Sequence, residues 1–216
     1  MTDGLELLKK EWQKREADLP KLTYDEIHKM IWKKSSSIVK WILIISILEF
    51  TLPHLLYLVP SFKENMGIYD KLGLHNIIIG FTIFSYCVAF YFIIQFYRRY
   101  KEISVLDNSK NLMRKIIRTR TTVKHYIIYS LSMILVIVIM MIIGVYLNDD
   151  IFSIFSELQE KAQKISADKL KISLMIGMGI MGILLTAVMG GIYFLLYGLL
   201  LRKLHRNYKD LKQLEV

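Results

Sequence analysis

Four stretches of the chain are almost free of charge, and the segments between them are crowded with lysine and arginine. The windows run from Trp41 to Phe62, with the single exception of Glu49, then from Leu72 to Tyr97, from His125 to Asn148 and from Ile172 to Leu201. Each exceeds or matches the roughly 20 apolar residues that an α-helix needs to cross a bilayer. The pattern predicts an all-α fold, a four-helix transmembrane bundle with spans at about 38–59, 74–97, 125–147 and 173–201. A loop at 98–124, an outer loop at 148–172 and a basic tail at 202–216 complete the organisation.

Amphipathic stripes flank the spans. In residues 1–37, Leu5, Leu8 and Trp12 fall on one face after a loose capping pattern at Asp3–Glu6, and Leu19-Pro20 marks a stop. The stretch TYDE at 23–26 is a better capping box, followed by a second stripe of Tyr24, Ile27, Met30 and Ile31. These predict two short amphipathic helices before the first span. Leu5, Leu8, Trp12, Tyr24, Ile27 and Ile31 are the candidate contacts to a cytoplasmic protein partner; the competing readings are that the stripes lie on the chain itself or on the headgroup layer. In the 98–124 loop, Leu112, Met113, Ile116, Ile117 and Val123 follow the turn-like LDNSKN and predict a helical hairpin that extends the second and third spans. The outer loop carries a further stripe of Ile151, Phe152, Phe155, Leu158, Ala162 and Ile165.

Charge sets the expected threading. Residues 1–40, the 98–124 loop and the tail from Arg202 hold 23 basic side chains, against 6 in the other two loops. By the positive-inside rule both termini are expected in the cytoplasm. The first span begins after about 40 polar and charged residues, so it is read as a retained span and not as a cleavable signal. Net charge is +10, but the surplus hugs the span ends, where anionic lipid headgroups are the natural partner, and no nucleic-acid binding is expected. The bilayer is the one certain partner in this reading; a cytoplasmic protein and a second copy of the chain are further candidates.

The residues that bear on chemistry are few. Hydrophobic types make up 54% of the 216 residues, more than a soluble domain carries, and the lone Cys87 lies within the second span, which excludes an intrachain disulfide framework. GMGIMG at 177–182 matches the dinucleotide fingerprint, but no strand precedes it and no acid follows until Asp210, so nucleotide binding is excluded. Its glycines serve helix packing instead. Gly177, Gly182, Thr186, Gly190 and Gly191 form a small-residue face that lets two helix backbones approach, within the bundle or between copies.

Glu49 is the candidate functional residue. A charge at the centre of a span costs about 2.5 to 3.5 kcal/mol on the insertion scale, so an acid there calls for a role. Ser85, Tyr86 and Thr186 are predicted at its depth as hydrogen-bond partners, and His54 follows one turn later, beside Pro53, which removes the amide donor to the Glu49 carbonyl. His54, His75 and Asp149 or Asp150 fall toward one side of the membrane, but no ligand spacing joins them, and no metal or cofactor is expected. No nucleophile with a visible base appears, so the chain does not read as an enzyme.

The stretch LELLKKEWQKREADLPKLTYDEIHKMIWKKSSSIVKWILIISILEF, residues 5–50, resembles the opening of a group of small four-span inner-membrane proteins of Bacteroidota-type bacteria. That resemblance implies a bacterial cytoplasmic (inner) membrane. A short cytoplasmic head on a membrane anchor also resembles membrane-bound anti-sigma factors in layout, although their HxxxCxxC zinc signature does not occur. The functional expectation is a non-enzymatic membrane anchor, sensor or regulatory partner-binding protein; the alternative is a small transporter or channel that uses Glu49.

Overall fold

A computed structural model of the chain describes residue 6 and residues 23–56, 67–104, 107–148 and 167–214. Among them there are helices and no strand. Helix α1 spans Tyr24–Leu56, α2 is the short Gly67–Lys71, α3 spans His75–Ser104, α4 spans Ser109–Leu147, and α5 spans Ala167–Tyr193. A turn of π-helix, Phe194–Gly198, joins α5 to α6, Leu199–Leu214. Four rods are long and apolar enough to cross a membrane, and the chain is a multi-pass helical membrane protein.

Burial agrees with that reading. Ile83, Phe84, Ile139, Ile183 and Val188 are more than half exposed, as are many other large apolar side chains along the spans. Soluble proteins rarely present contiguous apolar surface beyond a few hundred Å2; here the belt meets lipid. The main core lies instead where the rods converge at the basic end, with Ile42, Phe96, Ile103, Leu112, Ile116, Val123, Leu204 and Leu211 buried together. A smaller cluster of Leu72, Leu74 and Val145 closes the opposite end.

The helices overrun the bilayer on the basic side. At 1.5 Å per residue, the 39 residues of α4 make a rod of about 58 Å, against a hydrocarbon thickness of about 30 Å. The predicted hairpin of the second and third spans is therefore present, as α3 running to Ser104 and α4 starting at Ser109. Asn108 caps α4 by accepting from the Asn111 amide at 2.9 Å, and Lys115 reaches back to the Glu102 carbonyl at 2.8 Å and the Asp107 carboxylate at 3.1 Å. Lys115, then the Asn108 amide and the Asn111 side chain, hold the Asp107 carboxyl below the usual aspartate range. A carboxyl lowered in the folded state stabilises above its ordinary value, so this clasp is intact at neutral pH and is lost as pH falls through the lowered value.

Two predictions at the ends of the chain require correction. The expected second amphipathic helix is not separate: TYDE does cap a helix, with the Thr23 amide donating to Glu26 at 2.8 Å, but α1 then runs unbroken through KKSSSIVKW into the first span. No glycine or proline interrupts that stretch, and Ser35 is buried against Asn207 at 3.0 Å, which fixes the serine run as part of the helix. The basic tail is likewise a helix, α6, whose Leu204, Asn207 and Leu211 are buried against α1 and α4. Leu5, Leu8, Trp12, the Asp3–Glu6 cap apart from Glu6, and the outer-loop stripe of 151–165 lie outside the described residues.

The small-residue face divides in two. A Cβ placed on Gly182 would stand 2.5 Å from a methyl of Val138, so this glycine sets the close approach of α5 to α4, within the bundle. Gly190 is in looser contact with Leu131, whereas Gly177 and Gly191 have open space around them. Gly144, absent from the sequence argument, meets Leu74 at 2.6 Å in the same sense. Gly182→Ala is expected to lower unfolding stability in lipid by about 1 to 3 kcal/mol through overpacking, while Gly191→Ala is neutral or mildly stabilising. Equal effects in a lipid-based unfolding titration would contradict the α4–α5 contact.

Candidate functional site

Glu49 projects from α1 and is half-buried. Its Oε2 accepts two hydrogen bonds, from the Tyr126 hydroxyl of α4 and the Tyr197 hydroxyl of the π-turn, both at 2.8 Å. Tyr193 stands beside them, its ring 6.3 Å from that of Tyr126 and 6.0 Å from that of Tyr197. Phe92 and Phe96 of α3 pack edge-on against Tyr126 at 5.3 and 5.4 Å. Four helices thus meet at one carboxyl group. A polar group that cannot reach water must find its partners inside the protein, and the phenols supply them while presenting apolar ring faces to everything else.

The π-turn explains how Tyr197 reaches the acid. Tyr193, Tyr197 and Leu201 are all buried and follow one another at steps of four residues. In an α-helix two such steps drift by about 80° around the axis. The wider π-turn absorbs the drift, so one face stays directed into the bundle from α5 to α6. Glycines before the turn, at 190 and 191, and at its last position, 198, make that departure cheaper than it would be in a run of β-branched residues. At Gly198 the Phe194 ring comes within 3.1 Å of where a Cβ would stand, and Arg202 lies over that ring at 5.0 Å.

A cavity of about 440 Å3 opens beside the carboxyl, lined by α1, α3, α4 and α5. Its wall is largely apolar and aromatic, including Phe50, Phe92, Phe96 and Met189, with Ser46, Ser85, Tyr86 and Ser130 as polar points. Glu49 is the one acidic or basic residue among those described that line it, and the Tyr193 hydroxyl is a third phenol within reach of its carboxyl group. The Tyr129 hydroxyl lies beside Ser85 and is buried without a hydrogen bond of normal geometry among the described residues. Volume, apolar lining and a few convergent polar groups are the properties of a small-molecule site.

Of the predicted polar set, Ser85 and Tyr86 line this cavity, but neither bonds the acid. Ser85 donates to the Phe81 carbonyl at 2.8 Å, and Tyr86 packs edge-on against Phe50. Thr186 is elsewhere, donating to the Gly182 carbonyl at 2.7 Å. The side chain of His54 lies outside the described residues, as do Asp149 and Asp150; His75 pairs with Asp70. Ser85 and Tyr86 are thus at the depth of the acid, whereas Thr186 lies about two turns before Tyr193 on α5, and it is Tyr193 that lines the cavity. Glu49 is level with Tyr126, two residues past Lys124, and Tyr197, five residues before Arg202, so it lies toward the basic end of the bundle and not at its midpoint.

The stripe offered to a partner is partly spent within the chain. Ile31 is buried, Ile27 packs on the same core, and the Tyr24 hydroxyl pairs with Ser109 at 2.6 Å. Among the sequence-based readings of that stripe, packing on the chain itself accounts for these three residues.

A family model described as a domain of unknown function, DUF8845, matches residues 25–216. The chain belongs to the DUF8845 family. The match starts at the first turn of α1 and takes in Glu49, Tyr126 and Tyr197 alike. No curated protein and no solved structure matches the chain.

Glu49→Leu leaves two phenolic hydroxyls without an acceptor, whereas Glu49→Gln keeps a carbonyl oxygen for both. The leucine variant is expected to be the less stable of the two in lipid. Replacing Tyr126 and Tyr197 by phenylalanine in the Glu49→Leu background should recover about 1 to 2 kcal/mol, because removing every partner costs less than orphaning some. Equal stability of Glu49→Leu with and without the phenylalanines would contradict the cluster.

Proposed function

We propose that this DUF8845 protein is a non-enzymatic sensor of a bacterial cytoplasmic membrane, with both termini in the cytoplasm, in which occupancy of the Glu49 cavity is relayed to the basic end. One observation carries the reading: the Tyr197 hydroxyl that holds Glu49 belongs to the π-turn, and the π-turn continues into α6. π-turns inside long helices occur disproportionately at functional sites. Any ligand that takes the Glu49 oxygen from Tyr197 acts on α6, which is clasped to α1 through Asn207 and Ser35 and to α4 through the Arg120–His205 contact at 2.9 Å. A cytoplasmic protein partner would read the outcome there.

The lining names the ligand class. An acidic side chain ringed by tyrosine and phenylalanine faces, in a cavity lined by no lysine or arginine among the described residues, suits a lipophilic cation. Orientation and membrane type rest on the 23-to-6 distribution of basic residues and on the resemblance of residues 5–50 to inner-membrane proteins.

Tetraphenylphosphonium serves as the probe, with the protein in lipid nanodiscs. Wild type is expected to bind it, Glu49→Gln to bind about tenfold more weakly, and bound probe to change amide hydrogen exchange across residues 194–214. Undiminished binding by Glu49→Gln would end the proposal. Binding with no change in residues 194–214 would end the relay and favour the transporter reading, for which an acid-lined cavity is also suited; Glu49-dependent flux of the probe from liposomes is its test.

A further inference from the structure

On the other flank of the α3–α4 seam, at the basic end, a second pocket of about 380 Å3 carries a different chemistry. Arg99 and Gln95 of α3 face Arg118 and His125 of α4 across it. No acid lines it. Arg99 is held in place from outside: its Nη1 donates to both Glu102 carboxylate oxygens, at 2.9 and 3.1 Å, and its Nε reaches the Thr122 hydroxyl at 3.4 Å. Its Nη2 has no hydrogen-bond partner among the described residues. The Arg118 guanidinium has none either, and it is exposed at the pocket mouth. Thr121 and Thr122 donate their hydroxyl protons to backbone carbonyls one turn back, so they offer only acceptors, and the donors come from the arginines, the Gln95 amide, the His125 imidazole and the Tyr91 hydroxyl.

Depth gives the pocket its meaning. It straddles the level at which both helices change from charged to charge-free sequence, at Arg98 and Arg99 on α3 and at Lys124 and His125 on α4. In a membrane that level is the headgroup layer. Ile117 and the ring of Tyr91 are both about half exposed and offer apolar surface along which an acyl chain can lie. We propose that this pocket binds a phosphate anion, presented by the headgroup of an anionic lipid, with Arg118 as the principal ligand and the clamped Arg99 as the second. Guanidinium groups match phosphate oxygens in a bidentate geometry, and basic clefts between spans on the cytoplasmic side recognise such headgroups.

Arg118 makes a clean probe because its guanidinium forms no hydrogen bond or ion pair among the described residues. Arg114, one turn away, exposed and outside the pocket, carries the same charge and serves as the control. The full chain in neutral detergent is titrated separately with phosphatidylglycerol, diacylglycerol and inorganic phosphate, and the rise in thermal midpoint is followed. Phosphatidylglycerol should stabilise where diacylglycerol does not; Arg118→Gln should weaken its apparent affinity about tenfold, and Arg114→Gln by less than about twofold. An Arg118-dependent shift with inorganic phosphate would assign the anion to a soluble source, and its confinement to phosphatidylglycerol would assign it to the lipid. Equal losses in the two arginine variants, equal stabilisation by diacylglycerol, or no Arg118-dependent shift with either anion would overturn the site.

Discussion

A carboxyl group inside a span has to be solvated by protein, and in this chain two phenols from two other helices do so. That requirement ties together elements far apart in sequence: Glu49 on α1, Tyr126 on α4 and Tyr197 on the π-turn. Hydrocarbon offers no driving force between apolar helices, so hydrogen bonds and close packing set their register. The Glu49 cluster and the Gly182–Val138 approach do this at two levels of the same bundle. The first joins α1 to α4 and the π-turn; the second joins α4 to α5 alone.

The remainder of the bundle falls into two regimes. Within the membrane, the rods bury little against each other and leave their apolar side chains to lipid. At the basic end they converge on a conventional core, sealed by α6 and by polar links such as Trp32 to the Ile103 carbonyl at 2.8 Å. The Glu49 cluster lies where the two regimes meet. A change there acts on a loosely packed membrane half on one side and on a cooperative core on the other, which is the placement a relay requires.

Sequence made the spans legible because charge is so costly in lipid that its absence over 20 residues has few other meanings. The hairpin was legible for a related reason, since Leu112, Ile116 and Val123 keep the helical period after a turn signal. Glu49 was legible as an exception to the pattern, but its partners were not. Ser85 and Tyr86 were placed at its depth and do line its cavity, but depth does not say which side chains turn toward the acid, and Thr186 lies about two turns before Tyr193 on α5. Glu49 meets Tyr126 instead, two residues past Lys124 and toward the basic end of α4. The π-turn left a faint trace, in the four-residue steps of Tyr193, Tyr197 and Leu201 near Gly198, that a search for a 3.6-residue period passes over. Helix α6 hid behind its charge: Leu204, Asn207 and Leu211 are at helical spacing, but the segment was read only as a basic tail.

The most direct measurement is solid-state NMR of the chain in lipid bilayers, with carbon-13 at the glutamate carboxyl and the tyrosine ζ carbons. The Glu49 carboxyl should show through-space correlations to both Tyr126 and Tyr197, and Tyr197→Phe should abolish the second while leaving the first. A Glu49 carboxyl that correlates with water and with neither ring would contradict the account.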